Sequence, residues 1–315
     1  MDASPAIRQR LLLAVAGAGE MAGYLCRWDR YHPKGFEAVA NHRFSPFGLA
    51  VEVNPLSRQG RGTIPRRLAA SIRAAEWASE HLRHDALPAV VVSAGRRRRR
   101  SMPPKALIVT GSSDRQLVPT GSVDVVVTDP PYFDSVQYSE LAHLFHVWSR
   151  AVGFSAGSEN VEIISEAVPN RVRGTGAKEY ERLLARILKE TKRSLKPGAP
   201  VLLTFRSTDI RGWHGLGLAL SSAGLKVAGL AVCHSENEDD HAKRGKRSFR
   251  KDLVIECYQG RNGGVPRVVT PPMDPEDTEL VCAGLAMVSS ADKSLGEFAR
   301  EFTNRLGEGW NSRIM

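Results

Sequence analysis

Apolar residues recur at helical spacing near the start of the chain. Leu11, Leu12, Val15, Met21, Leu25 and Trp28 mark one face, which predicts a helix over residues 5–30, weakened by Gly17, Gly19 and Gly23. Residues 31–63 are rich in Pro, Gly and Asn and read as irregular loop. A second helix is expected over 64–87, with Pro65 near its start and Leu68, Ile72, Ala75 and Leu82 along one face. From residue 105 the rhythm changes. Short apolar runs at 106–110 (ALIVT), 123–128 (VDVVVT), 201–205 (VLLTF), 226–233 (KVAGLAVC) and 252–258 (DLVIECY) read as strands. Helices are expected between them at 138–151, 178–195 and 213–223. Apolar strands alternating with helices predict an α/β sheet buried on both faces. No helix separates the last two runs, so they are candidates for an antiparallel pair. After Gly260 two further helices are expected, at 275–289 and 293–307. The sequence thus divides into an N-terminal helical and loop region (1–104), a core (105–259) and a C-terminal tail (260–315), the last a candidate docking segment.

Composition narrows the class. The chain has 315 residues, 42% of them apolar and 25% charged. That is ordinary for a globular protein and excludes a wholly disordered chain or a disulfide-stapled miniprotein. The formal net charge is +10, and it is concentrated: Arg58 to Lys105 holds twelve basic residues against three acids, including the run Arg96 to Arg100. Such a block fits a polyanionic partner, above all nucleic acid, and equally a solvated linker. Cys26, Cys233, Cys257 and Cys282 form no CxxC pair, which removes zinc-ribbon and dithiol chemistry and points to free thiols in a reducing cytoplasm. No apolar run reaches the ~18 residues that span a bilayer. Residues 8–16 imitate a signal peptide, but Glu20 closes the run and a helix explains it equally well.

The most informative stretch is Thr128-Asp129-Pro130-Pro131-Tyr132, directly after the run at 123–127. Ligands of open α/β sheets bind at the C-terminal ends of strands. Each proline removes an N–H donor and holds its predecessor extended. The result is a stiff bracket offering two acceptors, the Asp129 carboxylate and the Pro130 carbonyl, beside the aromatic face of Tyr132. Two acceptors suit the two N–H bonds of an exocyclic amino group on a flat base. They draw its lone pair out of conjugation, while the ring stacks on a base that has left the helix.

Asp-Pro-Pro-Tyr after a strand resembles motif IV of the amino-directed DNA methyltransferases. Residues 129–150 (DPPYFDSVQYSELAHLFHVWSR), 194–205 (SLKPGAPVLLTF) and 25–57 resemble the large adenine-specific DNA methylases that carry zinc-ribbon insertions. The resemblance implies a Rossmann-like class I methyltransferase sheet, here a partial one holding strands three to seven, with an N-terminal helical extension and a C-terminal helical tail. It implies S-adenosyl-L-methionine as cofactor and DNA as partner, and methylation of adenine N6 or cytosine N4, which the motif does not separate. Asp129, Pro130, Pro131 and Tyr132 take the catalytic positions. Cofactor contacts are carried to Gly111, Ser112 and Asp114 after the third strand, and to Thr128 and Asp129.

The family's glycine-rich cofactor loop has no good counterpart. Gly17-Ala18-Gly19-Glu20 is the one candidate, in a segment that reads as helix. The expectation is therefore a split enzyme whose second subunit carries the loop, in a modification or phage-defence role. Its rival is a non-catalytic DNA-binding or regulatory subunit keeping a degenerate fold. Methylation of RNA or of a protein glutamine is a third reading, disfavoured because those families more often carry Asn in place of Asp129.

Other candidates each have a plainer reading. Phe133, Asp134, Gln137 and Tyr138 resemble a substrate-side loop, or a helix entry capped by Asp134. Arg171 and Arg173 form a flexible basic loop, and Lys243, Arg244, Lys246, Arg247, Arg250 and Lys251 another; both suit DNA phosphates or plain solvent. His143 and His146 sit among Leu141, Leu144, Phe145 and Trp148 and read as core rather than metal ligands. His234 to His241 reads as acidic surface, Trp213 and His214 as helix packing, and Glu52 and Asn54 as either site or turn.

Overall fold

The computed structural model describes residues 4–21, 26–29, 34–36, 51–59, 62–81, 89–93, 106–133, 136–151, 166–234, 249–260, 264–269, 272–290 and 293–306. Contacts divide the chain into two compact units, Met1–Pro88 with Gln137–Ile164, and Ala89–Val136 with Ser165–Met315.

The first unit holds helices α1 (Pro5–Ala18), α2 (Ile64–His81) and α3 (Tyr138–Ala151), and a two-stranded antiparallel ladder of β1 (Arg27–Asp29) and β2 (Lys34–Phe36). The long first helix predicted from periodicity is shorter than expected. It ends at Ala18, runs into one 3-10 turn at Gly19–Met21, and residues 27–29 are extended. The glycines explain the stop, since each weakens a helix by roughly 1 kcal/mol relative to alanine. Gly19 lies so close to the Trp148 indole that a Cβ there would overlap it, and the Arg67 guanidinium pairs with Glu20 at 2.5 Å. Gly17 to Glu20 is thus a packed helix end with no strand before it, and the geometry of a cofactor loop is absent there.

The second unit contains a five-stranded sheet in the order β5 (Val126–Thr128), β6 (Val201–Phe205), β8 (Lys251–Gln259), β7 (Leu225–His234), β9 (Arg267–Val268). β5 and β6 are parallel, β8 runs antiparallel to both β6 and β7, and β7 and β9 are parallel. The antiparallel pair foreseen at 226–233 and 252–258 is present. A separate parallel pair joins β3 (Ala89–Ser93) to β4 (Ala106–Thr110). The expected strand at 106–110 is therefore formed, but its hydrogen-bonded neighbour is residues 89–93, a run that periodicity did not single out. Helix α4 (Ala177–Ser194) leads into β6, and α5 (Ile210–Ala223) connects β6 to β7. Asp209 caps α5 by accepting from the Arg211 N–H, and Gly224 ends it at φ +68°, a conformation costly for residues with a Cβ.

The core follows the two-residue period of β6 and β8. Val201, Leu203 and Phe205 point one way with Leu253, Ile255 and Cys257, each almost wholly buried. Trp213, Leu216 and Leu220 of α5 and Leu184 and Leu188 of α4 join the same cluster. So do Leu280, Ala283 and Met287 of α6 (Pro275–Val288) and Phe298 and Phe302 of α7 (Leu295–Leu306). Residues near the C-terminus of the sequence thus complete the core of this unit. All four cysteines are free thiols, and among the described residues no helix is long and apolar enough to cross a membrane.

Candidate functional site

Asp129 follows β5 directly and is exposed, while Pro130 is buried and Pro131 and Tyr132 are half-buried. The parallel register pairs Thr128 with Leu203, so the next residues in step are Asp129 and Thr204. Thr204 Oγ1 donates to Asp129 Oδ1 at 2.5 Å. A charge-assisted hydrogen bond of this kind fixes the carboxylate rotamer at the strand end.

Tyr132 is held from three sides. Its hydroxyl donates to Asp252 Oδ1 at 3.2 Å, its ring meets Phe205 edge-on at 5.4 Å, and the Arg206 guanidinium lies over the ring, 5.7 Å from its centre. Arg206 Nε in turn stands 3.3 Å from Asp252 Oδ1. Burial raises the Tyr132 phenol well above the usual tyrosine range; the Thr204 hydrogen bond opposes this, and the Asp252 and Asp129 carboxylates reinforce it. The phenol therefore stays protonated and acts as a donor. Thr204, Arg206 and Asp252 were not singled out from the sequence. Strand register supplies the only signal: Thr204 and Arg206 bracket the end of the VLLTF run, and Asp252 opens the DLVIECY run.

Pro131 and Phe133 anchor the bracket to the core. The buried Tyr180 of α4 donates to the Pro131 carbonyl at 3.3 Å, and its ring meets Phe133 edge-on at 5.3 Å. Gly212 leaves the space that Phe133 fills, and Arg211 lies over its ring. Phe133 is 6% exposed, so its side chain faces the core.

The other expected residues are taken in turn. Ser112 Oγ donates to Asp114 Oδ1 at 2.6 Å, and the Arg186 guanidinium of α4 closes on the other carboxylate oxygen. The segment after Gly111 is further tied to α4 by Gln116 N–H to Glu190 and by Arg193, which donates to the Gln116 and Val118 carbonyls. Thr128 is half-buried and Asp129 exposed at the strand end, and Asp114 pairs with Arg186. Gln137 and Tyr138 belong to the first unit, at the start of α3. Arg171 and Arg173 are exposed on a turn closed by hydrogen bonds, not on the open loop expected. Asp134, Lys243, Arg244, Lys246, Arg247 and the Arg96 to Arg100 run lie outside the described residues. Lys251, expected in a basic loop, opens β8 and pairs with Asp274 and Asp277.

No known protein family and no curated protein matches the chain. Among solved structures it is similar to an S-adenosylmethionine-dependent methyltransferase from Methanosarcina mazei, at 13% identity over 50% of this chain and 68% of that one, with a TM-score of 0.26. It is also similar to a candidate DNA modification methylase from Thermus thermophilus, at 13% identity over 52% of this chain and 53% of that one, with a TM-score of 0.25. The match thus spans about half the length of the second protein.

Proposed function

We propose that this chain bears the target-base side of an S-adenosyl-L-methionine-dependent DNA methyltransferase that acts on the exocyclic amino group of adenine. The observation that carries this reading is the exposed Asp129 carboxylate, oriented by Thr204 at the end of a parallel strand and followed by the rigid Pro130-Pro131-Tyr132 segment. In this reading the amino group of an extruded base donates one N–H to Asp129 and the other to the Pro130 carbonyl. Both bonds strengthen as the nitrogen gains positive character, so they favour the transition state over the ground state. Tyr132 is half-buried with Arg206 over one side of its ring, and in this reading the base stacks on the remaining face. Asp129 is also the nearest base in the cluster for the proton that the alkylated nitrogen must lose. The cofactor supplies an activated methyl group.

On the cofactor side, Thr128 and Asp129 lie at the strand end, Asp114 pairs with Arg186, and no described segment matches the glycine-rich loop. The proposal therefore includes a second polypeptide that carries the glycine-rich loop. Support comes from β5, the edge strand of the described sheet, where Val127 is 75% exposed and the preceding Val125 48%, although a parallel strand is ordinarily covered on both faces.

The test is transfer of a radiolabelled methyl group to unmethylated plasmid DNA, followed by digestion to nucleosides. The full chain is assayed alone and with the product of the neighbouring gene. Label in N6-methyladenine, abolished by Asp129→Ala, is the expected result. Label in N4-methylcytosine corrects the base. No label in DNA from any combination overturns the enzymatic reading in favour of a DNA-binding subunit.

A further inference from the structure

Residues 170–175 close on themselves as a hairpin. The Asn170 N–H reaches the Thr175 carbonyl at 3.0 Å and Oγ1 at 2.9 Å, and the Thr175 N–H returns to the Asn170 carbonyl at 3.0 Å. The Arg173 N–H donates to the Asn170 carbonyl and to its Oδ1, at 3.2 and 3.1 Å. Gly174 turns the chain at φ +70°, where a side chain would be strained. Asn170 is 9% exposed, so the clasp is rooted in the body of the unit. The tip is Arg171-Val172-Arg173, and Val172 is 97% exposed.

A single exposed valine is ordinary on a protein surface. This one is held on a clasped turn, between two exposed arginines, and linked to the site described above. From Val172 to Gly176 the chain spans at most ~14 Å. Gly176 then accepts the Tyr180 N–H at 3.1 Å, one helical turn of ~5.4 Å away. Tyr180 holds the Pro131 carbonyl and packs on Phe133. The tip therefore stands within ~20 Å of the Tyr180 backbone, about six base steps at ~3.4 Å each.

We propose that Val172 is a wedge that enters a base step of duplex DNA, with Arg171 and Arg173 placing it against the flanking phosphates. The inference rests on the reading of DNA as substrate and extends it to how the duplex is opened. A base that is to be methylated at its amino group must leave the stack, and apolar side chains inserted between base steps unstack and kink the duplex. A β-branched side chain, stiff at χ1, suits that task better than a flexible one. The arginines position the tip without reading sequence.

The test uses a nicked circular plasmid bound by the full chain, sealed with ligase and analysed for linking number after protein removal. The wild-type chain is expected to shift the topoisomer distribution. At equal occupancy, Val172→Ser should lose at least half of that shift while its affinity changes by less than about threefold; at 97% exposure the substitution leaves the fold intact. Arg171→Gln and Arg173→Gln should each weaken binding and reduce the salt slope by about one charge. The wedge is overturned if Val172→Ser keeps the full shift, if the wild-type chain saturates the plasmid without any shift, or if it does not bind DNA at low salt. Methyl transfer without a topological change sinks the wedge alone. A topological change without methyl transfer in any combination sinks the enzymatic reading alone.

Discussion

Thr204 Oγ1 holds Asp129 Oδ1 at 2.5 Å across two parallel strands whose register brings these residues side by side. A hydrogen bond to a charged group contributes about 1.5–3 kcal/mol. Thr204→Val should therefore lower kcat roughly 10- to 100-fold by freeing the carboxylate, with little change in DNA affinity. Thr204→Ser should restore most of the rate. Equal activity in the valine variant shows that the bond does not position Asp129.

The Tyr132 hydroxyl donates to Asp252 and stays protonated, so the proposed stacking role falls to the ring. Tyr132→Phe should keep activity within a few-fold, whereas Tyr132→Ala should lose about 1–3 kcal/mol of stacking and raise KM for DNA. Steady-state kinetics on the two variants decide between ring and hydroxyl. A dead phenylalanine variant assigns the chemistry to the phenol instead.

Lys251 joins the first turn of α6 to β8, 2.6 Å from Asp274 Oδ2 and 2.7 Å from Asp277 Oδ1. Its hydrogen bonds hold both carboxyls below the usual aspartate range. Groups with depressed folded-state pKa values stabilise fully above their unfolded values, near 4, and that stabilisation fades as pH falls through the folded ones. Thermal melts from pH 6 to pH 3 should show Tm falling below about pH 4. Lys251→Met should flatten that fall, and an unchanged slope would mean the pair contributes nothing.

Burial pushes the Cys257 thiol up to about 12, and its side chain is fully enclosed in the core. Cys233 and Cys282 are partly exposed. Titration with a thiol-specific chromogen should label those two in the native protein and leave Cys257 untouched until denaturant is added. Rapid native labelling of Cys257 contradicts the packing of β8.

Trp213 is wholly buried, meets Phe205 edge-on at 4.9 Å and donates its indole N–H to the Ser207 carbonyl at 2.9 Å. Trp213→Ala should cost about 3–5 kcal/mol, readable in urea unfolding. Loss near zero would place the indole outside the core.

Much of the second unit was legible because period and punctuation agreed. VLLTF and DLVIECY are short apolar runs of strand length, and in the first unit the helix expected at 138–151 has those same bounds. Residues 89–93 form a strand that the sequence does not announce, because a run of three valines carries no period of its own. The first helix is shorter than its apolar spacing predicts because that spacing continues past the glycines that end it.

The Asp-Pro-Pro-Tyr bracket, the basic excess and the order of strands and helices are local properties, written in neighbouring residues and in the stiffness of proline. The partners of that bracket are not local. Thr204 and Asp252 reach Asp129 and Tyr132 over 75 and 120 positions of chain, and only the strand register brings them there. The same holds for the ion pair between Asp114 and Arg186 of α4, residues far apart in the sequence. An ionised side chain goes to whatever opposite charge the fold delivers, and no window of sequence contains that choice.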